Sequence, residues 1–169
     1  MSNPPDWLPE ALRYADFGGD YEKFFATVYR IFERDFKRSR PNYSGYPLAY
    51  DSRIENGKEL AFWHITSRKD NATGERVPDF RRCERVAWPK AIVDHSDDNV
   101  LKVWRNTRGG KTRILLWFEE LDYLVVLEER PGVVTLVTAY CTDEDNRRRQ
   151  LKKEWRKCSS QQTPPRGAT

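Results

Sequence analysis

From residue 100 onward the chain carries four apolar, β-branched-rich runs in succession: "VLKVWRN", "TRILLWFEE", "YLVVLEER" and "VVTLVTAYC". No other stretch narrows the fold as sharply. Each run has strand length, and "TRGGK", "LD" and "PG" between them are short connections of the kind that close hairpins. The pattern predicts an antiparallel meander.

Strand alternation then sorts the polar residues. Thr138 and Tyr140, two apart in "TLVTAY", share a face at the end of the fourth run, and the same parity puts Val134 and Leu136 with them. Lys111 and Arg113 share a face of the second run with Leu115 and Trp117. A face that is apolar at one end and polar at the other would gather its polar groups at one rim. In a plain 1-2-3-4 order, however, the second and fourth strands run in the same direction. That order separates the start of one from the end of the other.

Upstream, "MSNPPDWLPE" is Pro-rich, with Trp7 and Leu8 as an anchor. Asp20 is placed to cap a helix in which Phe24, Val28, Ile31 or Phe32, and Phe36 recur at helical spacing, and Pro41 ends it. Residues 47–62 suit a hairpin around "ENGK", and His64 and Arg68 stand just before a polar loop. "PDFRRCERVAWPKAIVDHS" predicts a short helix interrupted at Pro89. After the strands, Asp143 caps a basic helix running through Trp155, and 158–169 form a flexible tail. The expected architecture is therefore α+β: N-terminal helices packed on a four-stranded antiparallel sheet, with a C-terminal basic helix. It forms one domain over 19–157 behind a Pro-rich segment, 1–18.

Composition excludes several classes. With 33% charged but 13% aromatic residues, the 169-residue chain suits a folded domain with a charged surface rather than a disordered one. The net charge of +4 is concentrated in "RRRQLKKEWRK", which suits a polyanion and equally a solvated helix face. Cys83, Cys141 and Cys158 form no C-x-x-C pair, which argues against a disulfide framework or zinc site and for a reducing cytoplasm. There is no signal-peptide pattern and no membrane-length apolar run, so no membrane is expected. His64 and His95 lack ligand spacing, and "DHSDD" suits turns and caps, so no cofactor is expected either. Cys83 among arginines is a conceivable nucleophile, but a small buried helix residue is the simpler reading.

What remains is RNA cleavage without a metal. It requires a base for the 2′-hydroxyl, an acid for the leaving 5′-oxygen, and cations for the phosphorane charge. The motifs "FWHITSR", "RVPDFRRCERVAW", "VLKVWRNTRGGKTRILLWFEELDYLVVLEER" and "TLVTAYCTDEDNRRRQLKKEW" resemble the phage-associated Barnase–EndoU–colicin–RelE-like nucleases, over about residues 45–157. The resemblance implies a metal-independent endoribonuclease of toxin or conflict-system type. It would cleave RNA by 2′-OH transesterification on an exposed sheet face. Carried over to this chain, His64 is the general acid or base and Arg113 steadies phosphate charge. Thr138 and Tyr140 position the phosphate or assist proton transfer, and Arg68, Arg82 and Lys111 bind substrate. Arg82 and Arg85 have a second reading, as braces paired with Asp79 and Glu84. The implied partners are RNA and a cognate inhibitor or antitoxin. Two other classes stand beside this one: a non-catalytic nucleic-acid-binding module, and a scaffold that keeps the fold to bind a partner.

Overall fold

The computed structural model describes residues 3–161. Helix α1 (Tyr21–Phe32) starts where expected, with the Asp20 carboxylate accepting from the Lys23 N–H, and continues as a wider-wound π-helical stretch over Glu33–Arg38. Phe24, Val28, Phe32 and Phe36, four residues apart, form one fully buried stripe.

The chain then departs from the expected hairpin over 47–62. Strand β1 (Asn42–Tyr43) pairs antiparallel with β2 (Tyr46–Ala49), and only β3 (Ile54–Glu55) and β4 (Lys58–Glu59) form the small hairpin around "ENGK". Helix α2 (Leu60–Thr66) follows directly, so His64 lies in a helical last turn and not ahead of a polar loop. Its inner face buries Ala61, Phe62 and Ile65. A second small hairpin pairs β5 (Ser67–Lys69) with β6 (Arg76–Pro78).

Helices α3 (Phe80–Glu84) and α4 (Trp88–Asp94) come next. Asp79 caps α3 by accepting from the N–H groups of Arg81 and Arg82. Pro89 does not interrupt a helix. It stands in the first turn of α4, where its missing N–H costs nothing, and the break falls between the two helices. Two of the "DHSDD" carboxylates serve structure: Asp94 accepts from the backbone N–H of Asn42, and Asp98 from the backbone N–H of Val100 and the indole N–H of Trp7. Trp7 also stacks on His95, at 4.6 Å between centroids, so the Pro-rich start is held against the domain.

The meander forms as predicted: β7 (Lys102–Arg108), β8 (Lys111–Phe118), β9 (Tyr123–Arg130) and β10 (Val133–Cys141) pair in sequence. Gly109 and Gly110 close the first hairpin at φ of +58° and +76°, the left-handed pair that a two-residue hairpin loop of this kind needs.

The sheet is nevertheless not four-stranded and antiparallel. It has six strands in the order β1-β2-β10-β9-β8-β7, and β2 runs parallel to β10 through Val134↔Leu48 and Thr135↔Ala49. The physical reason is the open edge of β10, whose unpaired N–H and C=O groups the short strand β2 covers at one end. A four-residue strand interrupted by Pro47 carries too little alternation to announce itself.

The sheet buries both faces. On one, α1, α2 and α4 cover a large core that includes Ile114, Leu116, Tyr123, Val125, Val134, Leu136 and Ala139. On the other, helix α5 (Asp145–Gln161) lays Leu151 and Trp155 over Trp104, Leu115, Trp117, Leu124 and Val126. Glu119 pins α5 to the sheet by pairing with Lys152 at 3.1 Å and with Lys102. The expected tail over 158–169 is helical through Gln161, and 162–169 lie outside the described residues. No helix among the described residues is long and apolar enough to cross a membrane.

Candidate functional site

A bulge in β10 decides where the two hydroxyls of "TLVTAY" point. The pairing with β9 slips between Leu136 and Thr138, so one extra residue breaks the alternation. Val134, Leu136 and Ala139 face the large core, whereas Tyr140 packs on the α5 side. Thr138 and Tyr140 do share a face with each other, but not with Val134 and Leu136 as uninterrupted parity predicted.

Among the described residues, β10 has no sheet partner on its outer side beyond Thr135, and α2 packs there. Thr138 Oγ1 donates to the backbone carbonyl of His64 at 2.8 Å. Arg82 Nη1 donates to the same carbonyl at 3.4 Å and to that of Ser67 at 2.7 Å. The Asp79 carboxylate lies 3.7 Å from Arg82 Nε. The Arg82 guanidinium also sits 5.5 Å from the centre of the Tyr140 ring. Arg82 therefore ties α2, β5 and α3 to the strand end, combining the bracing role with a place at the site.

The tight turn after β10 brings the first residues of α5 back over Tyr140. Arg147 Nε donates to the phenolic oxygen at 3.1 Å, Nη2 donates to it as well, and the guanidinium lies 5.7 Å from the ring centre. Asp143 does not cap the helix, as the sequence suggested. Both of its oxygens accept from Arg81 Nη1 at 3.0 Å, and the Arg81 guanidinium beside it holds its carboxyl below the ordinary carboxylate range.

The result is a cleft of about 460 Å³ lined by Arg68, Asp79, Arg81, Arg82, Tyr140, Cys141, Asp143, Glu144 and Arg147. Four guanidiniums face three carboxylates there. Arg81 and Asp143 engage each other, and Asp79 serves the α3 cap and Arg82. Among the described residues, the side chains of Arg68 and Glu144 make no hydrogen bond or ion pair. The cleft thus offers one uncommitted cation, one uncommitted carboxylate and a tyrosine set between two arginines.

The other expected site residues fall elsewhere. His64 reaches this cleft only through its carbonyl. Its imidazole opens into a neighbouring cleft with Trp63, Lys69 and Arg76. There burial, then the Arg76 charge, lower its pKa against the pull of Asp51 and Glu55, which favours the neutral ring. Arg113 stands opposite Glu128, which pairs across with Thr135, whereas Thr138 aligns through Val126 with Leu115. Two strand spacings and two residues of rise separate Arg113 from Thr138, on the order of 12 Å. Lys111 is farther off still, beside the exposed Gly109–Gly110 turn. Neither belongs to the Tyr140 cleft, because the meander keeps its plain order.

Cys83 is buried against the Thr66 carbonyl. Burial, with Asp79 and Glu84 nearby, pushes its thiol up to about 12, which removes it as a nucleophile. Arg85 is a brace: Nη1 donates to the Arg81 carbonyl and the guanidinium lies 5.1 Å from the Trp88 ring centre. Arg81, Glu144 and Arg147 were not singled out by the sequence. The signal that points to Glu144 and Arg147 is the short "CTDE" link, which returns the helix start to the strand end it has just left.

Comparison with known proteins adds no relative: no family model, curated protein or solved structure matches the chain.

Proposed function

We propose that the protein is a metal-independent endoribonuclease that holds an RNA phosphodiester in the Tyr140 cleft. One observation carries this reading. Arg147 is a donor-only side chain, so the Tyr140 oxygen must be the acceptor of its N–H bonds. The phenolic proton is then left for another acceptor, and the cleft is where an acceptor would bind. A phosphate oxygen or a leaving alkoxide fits that place.

The chain's own groups supply the rest of the chemistry. Glu144 takes the 2′-hydroxyl proton, and the 2′-oxygen attacks phosphorus. Arg68 and Arg82 steady the charge on the non-bridging oxygens. As the P–O5′ bond breaks, Tyr140 protonates the 5′-oxygen, and Arg147 holds the resulting phenolate. The products are a 2′,3′-cyclic phosphate and a 5′-hydroxyl, and the site resets when Glu144 releases its proton to solvent and Tyr140 takes one up. His64 has no step in this scheme, and neither do Arg113 and Lys111. Thr138 positions the site by anchoring the α2 carbonyl beside Tyr140.

The test is cleavage of single-stranded RNA in EDTA, wild type beside Tyr140→Phe. Loss of a proton-transfer group predicts a fall of about 100-fold or more in cleavage rate with RNA binding retained. Equal cleavage by both proteins rejects Tyr140 as the acid. RNA binding by wild type with no cleavage at all points to the non-catalytic nucleic-acid-binding module.

A further inference from the structure

The β5–β6 hairpin is a thin wall between two clefts. Adjacent strand residues point to opposite faces, and Arg68 lines the Tyr140 cleft while Lys69 lines the other. Lys69 stands directly opposite Arg76 in the pairing, and the two face the same way. Behind the wall lies a larger cleft of about 850 Å³ with an aromatic floor. Tyr21 and Phe25 are near-parallel at 5.7 Å and 16°, and Phe25 and Trp63 follow at 5.9 Å and 28°. The Trp63 indole N–H donates to the Glu55 carbonyl at 2.7 Å, which fixes the half-buried ring in the lining. His64 belongs to both places: its carbonyl is held by Thr138 and Arg82 at the first cleft, and its imidazole opens into the second.

We propose that the Trp63–His64 cleft is a nucleobase site, taking the base of a nucleotide next to the phosphate bound at Tyr140, and that His64 selects which base enters. The inference rests on the phosphate-binding reading of the Tyr140 cleft. Three features of the cleft converge on a single-stranded nucleotide. The ring row offers stacking surface that any base can use. Lys69 and Arg76, with Glu55 and Glu75 in the same lining, offer charged donors for the phosphate attached to that base. The His64 ring offers a donor and an acceptor to its edge, because a neutral imidazole carries one of each. A duplex is disfavoured, because its bases are stacked and paired and cannot be turned into a walled cleft without opening. The second cleft also gives the lone histidine of "FWHITSR" a task that the cleavage scheme leaves unfilled.

Non-cleavable 2′-O-methyl tetranucleotides, one homopolymer of each base, provide the test by fluorescence anisotropy. Wild type is expected to favour one base by about tenfold, and His64→Ala to bring all four within about twofold. Lys69→Ala, at an exposed position, is expected to weaken all four by a similar small factor. The double variant Arg68→Ala/Arg147→Ala is expected to weaken all four strongly and keep the base preference. Equal binding of the four by wild type overturns the base site, as does a preference that survives in His64→Ala. If the arginine pair has no effect while His64 still governs preference, the Tyr140 reading fails and the base site stands. A measurement on wild type guards against an unfolded variant. The His64 ring resonances are expected to shift with the preferred nucleoside monophosphate and not with inorganic phosphate, and an equal shift with phosphate overturns the proposal.

Discussion

The two clefts on either side of the β5–β6 hairpin share a wall but differ in size and in aromatic content. The Tyr140 cleft is built from guanidiniums and carboxylates, with one aromatic ring held between two cations. The Trp63–His64 cleft has a row of aromatic rings, with Lys69, Glu75 and Arg76 of the hairpin segment and with Glu55 also in its lining. A phosphodiester needs the first kind of surface and a base needs the second. The contrast shows how one short strand, by alternating Arg68 and Lys69, can serve two clefts of different character.

The comparison breaks most visibly if the roles are reversed. Tyr140→Phe is expected to remove cleavage by about 100-fold or more, whereas His64→Ala is expected to leave cleavage of the preferred RNA within about tenfold, measured as single-turnover rates in EDTA. A larger loss in His64→Ala than in Tyr140→Phe would return the histidine to the chemistry.

A smaller effect concerns the wall itself. Arg82→Met removes charged hydrogen bonds to the His64 and Ser67 carbonyls, which should cost about 1.5–3 kcal/mol in urea unfolding and disturb both clefts together. If only one cleft responds, the two are not mechanically joined through Arg82. Thr138→Val keeps the side-chain shape and deletes its bond to the His64 carbonyl. The expected loss is about 1 kcal/mol by the same measurement, with base preference unchanged.

The smallest effect is in pH. Because burial and Arg76 lower the His64 pKa in the folded state, the unfolded chain binds the extra proton first. Stability contributed by the neutral ring is present above the unfolded histidine range and is lost as pH falls through it toward the folded pKa. His64→Gln should therefore flatten the decline in stability between about pH 7 and pH 5. An unchanged slope would mean that the imidazole is solvated rather than lodged in its cleft.

Much of the scaffold was legible in the chain. The four β-branched runs, the Gly-Gly turn, the Asp20 cap and the Phe24–Phe36 stripe all express local preferences that do not wait for the rest of the molecule. The anchoring of Trp7 was legible too, since an isolated apolar pair among prolines has little else to do. The expected site set was His64, Arg113, Thr138 and Tyr140 with Arg68, Arg82 and Lys111, and of these Tyr140, Arg68 and Arg82 line one cleft while Thr138 bonds the His64 carbonyl. Arg113 and Lys111 fall elsewhere, and plain meander order already argued against them.

Three things were decided only in three dimensions, each for a nameable reason. Strand β2 joins the sheet because β10 leaves backbone groups unpaired, and a partner found some ninety residues away leaves no local trace. The bulge after Leu136 turns Tyr140 to the α5 side, and the extra residue looks like any other in the sequence. The orientation of His64, with its carbonyl at one cleft and its ring in the other, follows from its place in the last turn of a helix that the apolar pattern was too short to reveal. The sequence by itself determined the four meander strands, their turns and the buried helix stripe, and the tertiary structure alone decided which polar side chains meet, because pairing and burial act between segments far apart in the chain.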